Sequence, residues 1–207
     1  NPTLNPDATE RIKTALAVQQ IDPPTDGEKE TVELARLYGS KQSLTLTGVD
    51  AAEDKVKSEI GKARVIHFAT RGIHQEASPM FSLLALSPNA ETPDAGAQNA
   101  VEKEDSLMEL RELLRLNLKA DLVVMESSEW AQPRTLTNRA MTSWAWAWFV
   151  AGSQSALLSQ WKTDSTDLMI EFHRQLKSSS QSKALAWQHA VQQFISREEF
   201  RHPYFWA

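Results

Sequence analysis

Two short apolar runs of the sequence each end in residues that could do chemistry. Val65 to Thr70 stops abruptly at Arg71-Gly72, and Asp121 to Met125 runs out at Glu126-Ser127-Ser128-Glu129. Short apolar runs bounded by polar residues are typical of buried strands in α/β proteins, and such strands deliver their last side chains into a loop above the sheet. We therefore predict that these two strand ends lie side by side and form one site.

Ser128 carries a hydroxyl in the second of these segments, and as a nucleophile it would need a base. A serine hydroxyl attacks only when an adjacent group takes its proton, within a reach of about 2.6–3.2 Å. Apart from His67, which lies inside the first run, His74 is the only histidine close to this site in sequence. A serine hydrolase that uses Ser128 and His74 is therefore one hypothesis. A lone loop histidine is more often a solvated side chain. His67, inside the first run, is better interpreted as a core histidine.

The rest of the composition excludes several kinds of site. The chain has no cysteine, so it has no disulfide, no thiolate metal site and no cysteine nucleophile. Its five histidines include no pair at His-x-x-x-His spacing, and no glycine-rich phosphate loop is present, so neither a metal nor a cofactor is indicated. The net charge of −5 without a basic block argues against nucleic acid, and no apolar run approaches the ~18 residues of a membrane span.

Helix and strand patterns alternate along the chain and must position the two strand ends. The 207 residues, with 41% hydrophobic and 24% charged, are enough for one domain with a core. The alternation predicts right-handed crossovers and a mostly parallel sheet covered on both faces. The predicted helices are Glu28 to Tyr38, Ala51 to Gly61, one from Asp105 or Ser106 through Leu114, Leu136 to Ala151, one from Asp164 or Ser165, and a last one after Ser182. The predicted strands are Ala15 to Val18, Ser43 to Thr47, Arg64 to Thr70, Phe81 to Leu86, Asp121 to Ser128, Ser155 to Ser159 and the start of one at His202 to Ala207.

The helix predicted at Leu136 to Ala151 is apolar nearly all round from Ala140 onward. It contains Trp144, Trp146 and Trp148, and the spacing of four puts Trp144 and Trp148 on one side. Such a helix either lies in the core or presents an aromatic surface to a partner, since tryptophan is enriched where proteins bind one another. In both interpretations one of the three tryptophans faces outward.

Four segments, read together, resemble the CHAT family of caspase-like domains, which are related to the caspase and separase peptidases and are commonly found beside tetratricopeptide repeats. The segments are Val65 to Gly72, Ala120 to Ser128, Ser155 to Trp161 and His202 to Ala207. The resemblance covers roughly residues 15–207, which leaves residues 1–14 as an irregular leading segment or a remnant of an upstream region. We expect the domain to be truncated near its last strand.

The resemblance implies a particular fold. It is a three-layer α/β/α caspase-like fold with a six-stranded, mostly parallel central sheet. The implied strand order is 2-1-3-4-5-6, with the strands at Arg64 and Asp121 adjacent at the centre.

The resemblance also places the catalytic dyad of the family on two substituted positions. The second histidine of the family's His-Phe-Ala-Thr-His-Gly segment falls at Arg71. The cysteine of its Asp-Leu-Val-Val-Leu-Ser-Ala-Cys-Glu segment falls at Ser128, followed by a matching acid, Glu129. Their separation fits the ~50 residues by which a caspase-type histidine precedes its cysteine. Trp130 to Pro133 replaces the glycine-rich segment that usually follows the cysteine.

These substitutions remove the chemistry of the dyad. Arginine stays protonated and cannot act as the base, and a serine hydroxyl is a weaker nucleophile than a thiolate. We therefore predict a catalytically inactive pseudopeptidase domain that acts as a protein-binding or scaffolding module. The alternatives are a CHAT cysteine peptidase with an engineered Cys-to-Ser nucleophile and the serine hydrolase described above.

Arg71 still needs a partner for its charge. We predict that it pairs with Glu126 or Glu129, or donates hydrogen bonds to Ser128. The alternative is that it binds an anionic group of a partner, such as a C-terminal carboxylate. The residues predicted to surround the former dyad are Thr70, Gly72, His74, Glu126, Ser127 and Glu129.

The expected partner is a protein or peptide, and the expected location is cytoplasmic. Binding through an upstream tetratricopeptide-repeat region follows from the resemblance, with Trp144, Trp146 and Trp148 as a further partner surface. Nucleic acid, membranes, cofactors and metals are not expected.

Overall fold

The computed structural model describes residues 25–70, 72–73, 75, 78–87, 107–126, 139–159, 166–178 and 182–206. Its helices are α1 (Thr25–Tyr38), α2 (Glu53–Ile60), α3 (Leu110–Leu113), α4 (Arg139–Val150), α5 (Thr166–Ser178) and α6 (Lys183–Phe194). Its strands are β1 (Val65–Phe68), β2 (Gly72–Ile73), β3 (Leu83–Ala85), β4 (Leu107–Glu109), β5 (Leu122–Met125) and β6 (Ala156–Leu158). No helix among these described residues is long and apolar enough to cross a bilayer.

A parallel sheet with the order β1-β5-β6 lies at the centre. Val65 pairs with Leu122, and Phe68 pairs with Met125, so β1 and β5 run level with each other. All four residues of β5 are buried, which explains its unbroken apolar sequence, because a central parallel strand is covered on both faces. The predicted adjacency of these two strands is confirmed.

Each face of this sheet carries its own apolar cluster, as the predicted α/β class requires. On one face, Ile66 and Phe68 pack in the cluster that includes Trp144 and Trp148 of α4. On the other face, Leu122 and Val124 pack against α5 and α6. The buried residues that α5 and α6 contribute there are Leu168, Met169, Phe172, Ala186, Ala190 and Phe194.

A second, antiparallel sheet with the order β2-β3-β4 follows the end of β1. Gly72 pairs with Leu84, and Leu84 also pairs with Met108. The described part of the chain therefore contains three parallel strands and a separate antiparallel sheet, where six strands in one sheet were expected. Phe81 to Leu86 was correctly predicted to contain a strand.

The helix predicted to run from residue 105 or 106 through Leu114 is wrong in its first half. Leu107 and Met108 belong to β4, and only Leu110–Leu113 is helical. Glu109 decides this boundary, because its side chain caps α3 while Glu112 accepts a hydrogen bond from the Glu109 backbone N–H at 2.7 Å. The leucine spacing fits a longer helix. However, Leu107 and Met108 pair with β3, so they form a strand instead of a first helical turn.

Two predicted strands are absent from the described residues. His202 to Ala207 begins with a 3₁₀ helix at Pro203–Phe205, because Pro203 suits a first helical turn and the His202 ring accepts the Tyr204 N–H at 3.2 Å. Ser43 to Thr47 forms no strand, and Leu44 is 62% exposed, so its alternation does not mark a buried face. Ala15 to Val18 lies outside the described residues.

Candidate functional site

The two strand ends that carry the predicted site lie at the same edge of the sheet. The backbone N–H of Glu126 donates to the carbonyl of Phe68 at 3.0 Å, one residue beyond the last β1–β5 pair. The chain therefore leaves both strands from adjacent positions, as parallel strands require. The residues predicted to meet beyond this point, Arg71, His74, Ser127, Ser128 and Glu129, lie outside the described residues.

The residues on either side of Arg71 are attached to β3. The hydroxyl of Thr70 donates to the carbonyl of Ala85 at 2.7 Å, and Gly72 pairs with Leu84. These contacts fix where the chain enters and leaves position 71. Thr70 and Gly72 thus attach the segment after β1 to β3. The sequence indicated only that both residues lie near the site.

The start of α1 also approaches the end of β1. A Cβ atom on Gly27 would overlap the carbonyl oxygen of Ala69, so no larger residue fits there without a shift of backbone. The hydroxyl of Thr31 donates to the Gly27 carbonyl at 2.6 Å and helps to hold this first turn. This close approach brings the next turn of α1 over β1.

That turn places Glu30 against His67, the central residue of a buried polar cluster. Nε2 of His67 lies 2.6 Å from Oε1 of Glu30, and their side chains are 10% and 2% exposed. Glu126 reaches the same point from the end of β5. One ligand-type atom from each of Glu30, His67 and Glu126 lies within 4.8 Å of the other two.

The cluster continues from His67 to α5 and back to α1. Nδ1 of His67 lies 3.1 Å from Nε2 of His173, and Nδ1 of His173 lies 3.0 Å from the Tyr38 hydroxyl. A further side-chain hydrogen bond joins Glu30 to Thr166 at the start of α5. We call Tyr38, His173, His67, Glu30 and Glu126 the buried polar cluster. It ties β1 and β5 to α1 and α5.

Burial keeps the imidazoles of the cluster neutral at pH 7. Burial lowers the pKa of His67 to about 4, against the opposing charge of Glu126. Burial, and then the neighbouring His67, lower the pKa of His173 to about 3. Burial also raises the pKa of Glu30, while side-chain hydrogen bonds with Glu126 and Thr166 act in the opposite direction. Neither histidine is tuned to exchange protons near neutral pH.

Neutral imidazoles carry one N–H each, so the cluster allows two hydrogen-bonding directions. If Tyr38 donates to His173, then His173 donates to His67, and the His67 proton sits on Nε2 facing Glu30. In the reverse direction His67 donates from Nδ1, and its Nε2 lone pair faces Glu30. The second direction brings two acceptors together unless a proton or a cation lies between them.

The sequence model of the CHAT domain matches residues 5–207. The chain belongs to the CHAT domain family. Among curated proteins it is similar to tetratricopeptide repeat protein 28 of Mus musculus, with 27% identity over 214 residues. That match covers 89% of this chain and 8% of the relative, so the chain spans a small part of the protein it resembles. The family predicted from the four segments is confirmed.

Within this CHAT domain the buried polar cluster is the feature that the sequence did not reveal. Sequence reasoning correctly treated His67 as a core histidine and named Glu126, but it missed Glu30, Tyr38 and His173. A signal was present in α1, where Glu30 precedes Leu34 by four residues and shares its buried side. A carboxylate on the apolar side of a helix indicates a buried partner.

The tryptophans of α4 divide between the core and the surface of the CHAT domain. Trp144 and Trp148 are fully buried, and the Trp148 indole donates to the sulfur of Met125 at 2.7 Å while its ring stacks on Phe68. Trp146 is 49% exposed, beside exposed Phe149. The expectation that one tryptophan faces outward is confirmed, and Trp144 and Trp148 are not part of an exposed surface.

Proposed function

We propose that this CHAT domain is a catalytically inactive, caspase-like pseudopeptidase domain that works as a protein-binding or scaffolding module. One observation carries the proposal, namely Arg71 and Ser128 at the dyad positions of the family. A guanidinium cannot accept a proton at physiological pH, and a serine hydroxyl without a base is a poor nucleophile. The dyad positions therefore supply neither half of the reaction.

The described histidines nearest to this edge do not replace the missing base. His67 and His173 contact each other, and their remaining ring nitrogens face Glu30 and Tyr38. Their pKa values of about 4 and about 3 are far from the range in which general bases work best. Both imidazoles are thus committed to the interior.

The order of the strands in the parallel sheet supports this proposal. The order β1-β5-β6 agrees with the order expected for strands 3, 4 and 5 of a six-stranded sheet. We propose that the whole domain has this three-layer arrangement and that Arg71 pairs with Glu126 or Glu129 at the edge. A domain that has this scaffold but lacks the dyad would retain a surface for binding and lose the ability to cleave.

The partner is proposed to be a protein or peptide. The name of the mouse relative refers to tetratricopeptide repeats, and this chain corresponds to only 8% of it, so an upstream repeat region could supply contacts. The absence of cysteine suits a reducing, cytoplasmic location. Trp146 with Phe149 offers a second contact surface on α4.

A cleavage assay tests the loss of activity. The protein and its Ser128→Ala variant are incubated with a proteome-derived peptide library, and new termini are read by mass spectrometry. We expect no cleavage above a no-protein control for either protein. Cleavage by the unaltered protein that disappears in Ser128→Ala would overturn the proposal. Cleavage by the double variant Arg71→His with Ser128→Cys alone would show that the scaffold still presents a dyad.

A binding assay tests the role of Arg71. Peptides selected from a display library are measured with free and with amidated C-termini. If Arg71 is paired internally, binding is the same for both forms, and Arg71→Gln lowers stability. If Arg71 binds a partner's carboxylate, amidation and Arg71→Gln each weaken binding by about tenfold or more, as loss of a charge-assisted pair requires. A domain that selects no peptide at all would contradict the peptide-binding role.

A further inference from the structure

We propose that Glu30, His67 and Glu126 form a binding site for one Zn²⁺ ion beneath the edge of the sheet. This inference is separate from the proposed function, since it needs no property of Arg71 or Ser128. The three ligands come from α1, β1 and the end of β5, so only the folded chain brings them together.

The ligand set and its spacing suit zinc. Zinc takes imidazole nitrogen and carboxylate oxygen at about 2.0–2.2 Å, and ligands at the corners of a tetrahedron are then ~3.4 Å apart. The three donor atoms already lie within 4.8 Å of one another. The closest pair, His67 Nε2 and Glu30 Oε1 at 2.6 Å, would open by less than about 1 Å to admit the ion. Three protein ligands leave the fourth corner for water.

Two donor atoms of the site are poorly satisfied without an ion. Oε1 of Glu30 and Nε2 of His67 are buried and face each other, yet neither makes a hydrogen bond of acceptable geometry. Both side chains are at least nine-tenths buried, where an unsatisfied polar atom is costly. A cation between them turns this contact into two ligand bonds.

The surrounding hydrogen bonds hold these ligands in the orientation that a metal needs. A zinc-bound histidine donates its other N–H to an acceptor, which fixes its tautomer. Here Nδ1 of His67 faces Nε2 of His173 at 3.1 Å, and His173 can pass the same direction on to Tyr38. A hydrogen bond with Thr166 orients Glu30. This is the second of the two hydrogen-bonding directions, the one that leaves a lone pair on His67 Nε2.

The charge of the cluster also suits a dication. The carboxyl groups of Glu30 and Glu126 share one position beside the His67 imidazole. With Zn²⁺ bound there, two carboxylates would lie opposite a charge of +2. Magnesium and calcium prefer six or more oxygen ligands, so they are poorer fits to this site.

Metal analysis of the purified protein tests the site directly. A protein without an affinity tag is stripped with a chelator, dialysed against equimolar Zn²⁺ with excess Mg²⁺, and analysed for bound metal. We expect one zinc per chain. At zinc concentrations about 100-fold above Kd, the melting temperature should rise by about 5 °C or more, while Mg²⁺ has no such effect.

Matched variants assign the ligands. Glu30→Gln and His67→Gln should each weaken zinc binding at least tenfold and remove the zinc-dependent rise in melting temperature. The controls are Glu198→Gln and His202→Gln, which alter exposed groups of the same two chemical types and should bind zinc as the unaltered protein does. Equal zinc binding in all five proteins would overturn the proposal in favour of surface binding.

A measurement on the unaltered protein covers the possibility that a variant fails to fold. X-ray absorption at the zinc edge should show one imidazole and a shell of oxygen ligands with about four in total. A shell with several imidazoles, or no zinc retained by the folded protein, would overturn the proposal. Cleavage activity plays no part in these readouts, so failure here leaves the proposed function untouched.

Discussion

His67 and His173 are 106 positions apart in the chain, yet Nδ1 of one ring lies 3.1 Å from Nε2 of the other. The rings meet edge to face at a centroid distance of 5.1 Å. The contact joins β1, the strand that leads toward Arg71, with the long helix α5. The stability of this face of the protein should therefore depend on the buried polar cluster.

Removal of the Tyr38 hydroxyl should destabilise the protein only while His173 is present. Tyr38→Phe leaves Nδ1 of His173 without this hydrogen bond, which should cost about 1–2 kcal/mol. In a His173→Phe background the same change should cost less than about 0.5 kcal/mol, because no imidazole remains to be satisfied. Urea unfolding of the two single variants and the double variant measures this coupling. Additive effects would mean that the 3.0 Å contact contributes nothing.

Acid should destabilise the metal-free protein between about pH 6.5 and pH 4. The pKa of His67 is about 4 in the folded state and near 6.5 when unfolded, so the unfolded chain takes up this proton first. The corresponding stability is complete above pH 6.5 and is lost as the pH falls, by about 3 kcal/mol in all. Glu30, Glu126 and His173 are the charged or titratable groups that face this ring.

Unfolding in urea with a chelator, at intervals from pH 7.5 to pH 4.5, measures this dependence. His67→Gln provides the comparison, because it keeps a polar side chain that does not titrate. We expect a shallower fall of the free energy of unfolding in that variant. Parallel curves for the two proteins would contradict the assignment to His67.

Gly27→Ala should destabilise the protein by about 1–3 kcal/mol. The new Cβ would overlap the Ala69 carbonyl oxygen at the end of β1, and backbone must move to make room. Gly61→Ala is the matched control, since its Cβ would lie 3.6 Å from the carbonyl oxygen of Asn117, an ordinary contact. Thermal unfolding of both variants makes the comparison, and an equal effect at the two sites would argue against the close approach of α1 to β1.

Truncation should destabilise the protein much more at Trp148 than at Trp146. Trp148→Ala removes a fully buried ring and should cost about 3–5 kcal/mol, whereas Trp146→Ala removes a half-exposed ring and should cost less than about 1 kcal/mol. Urea unfolding measures both values. If Trp146 contacts a partner, Trp146→Ala should weaken that binding in a protein of nearly unchanged stability. A large loss of stability in Trp146→Ala would instead place this ring in the core.

Strands β1 and β5 could be predicted because their signal is local. The apolar runs that begin at Val65 and Asp121 end in polar residues, and β1 and β5 lie within the strands predicted there, Arg64 to Thr70 and Asp121 to Ser128, but are shorter. The leucines from Leu107 to Leu114 were misassigned because helical spacing also fits a strand followed by one helical turn. The sequence could not show that β3 was available to pair with the first of them.

The buried polar cluster could not be predicted, because its signal is not local. Glu30, His67 and His173 lie on three elements, and no pair of them has a spacing that indicates a site. Only the path of α1 over β1 and the position of α5 beside it bring them together. His67 alone suggested a satisfied core histidine, which was correct but gave no hint of its partners.

Glu126 belongs both to the edge of the parallel sheet and to the buried polar cluster. Its backbone N–H holds the end of β1, its side chain joins the buried polar cluster, and the next residues lead to Ser128. Zinc binding in the interior and peptide binding at the edge of the sheet would therefore be thermodynamically linked through Glu126. By reciprocity, a peptide that favours one position of Glu126 would change zinc affinity by the same factor by which zinc changes peptide affinity. Such a domain would respond to two ligands together, a zinc ion in its interior and a peptide at the edge of its sheet.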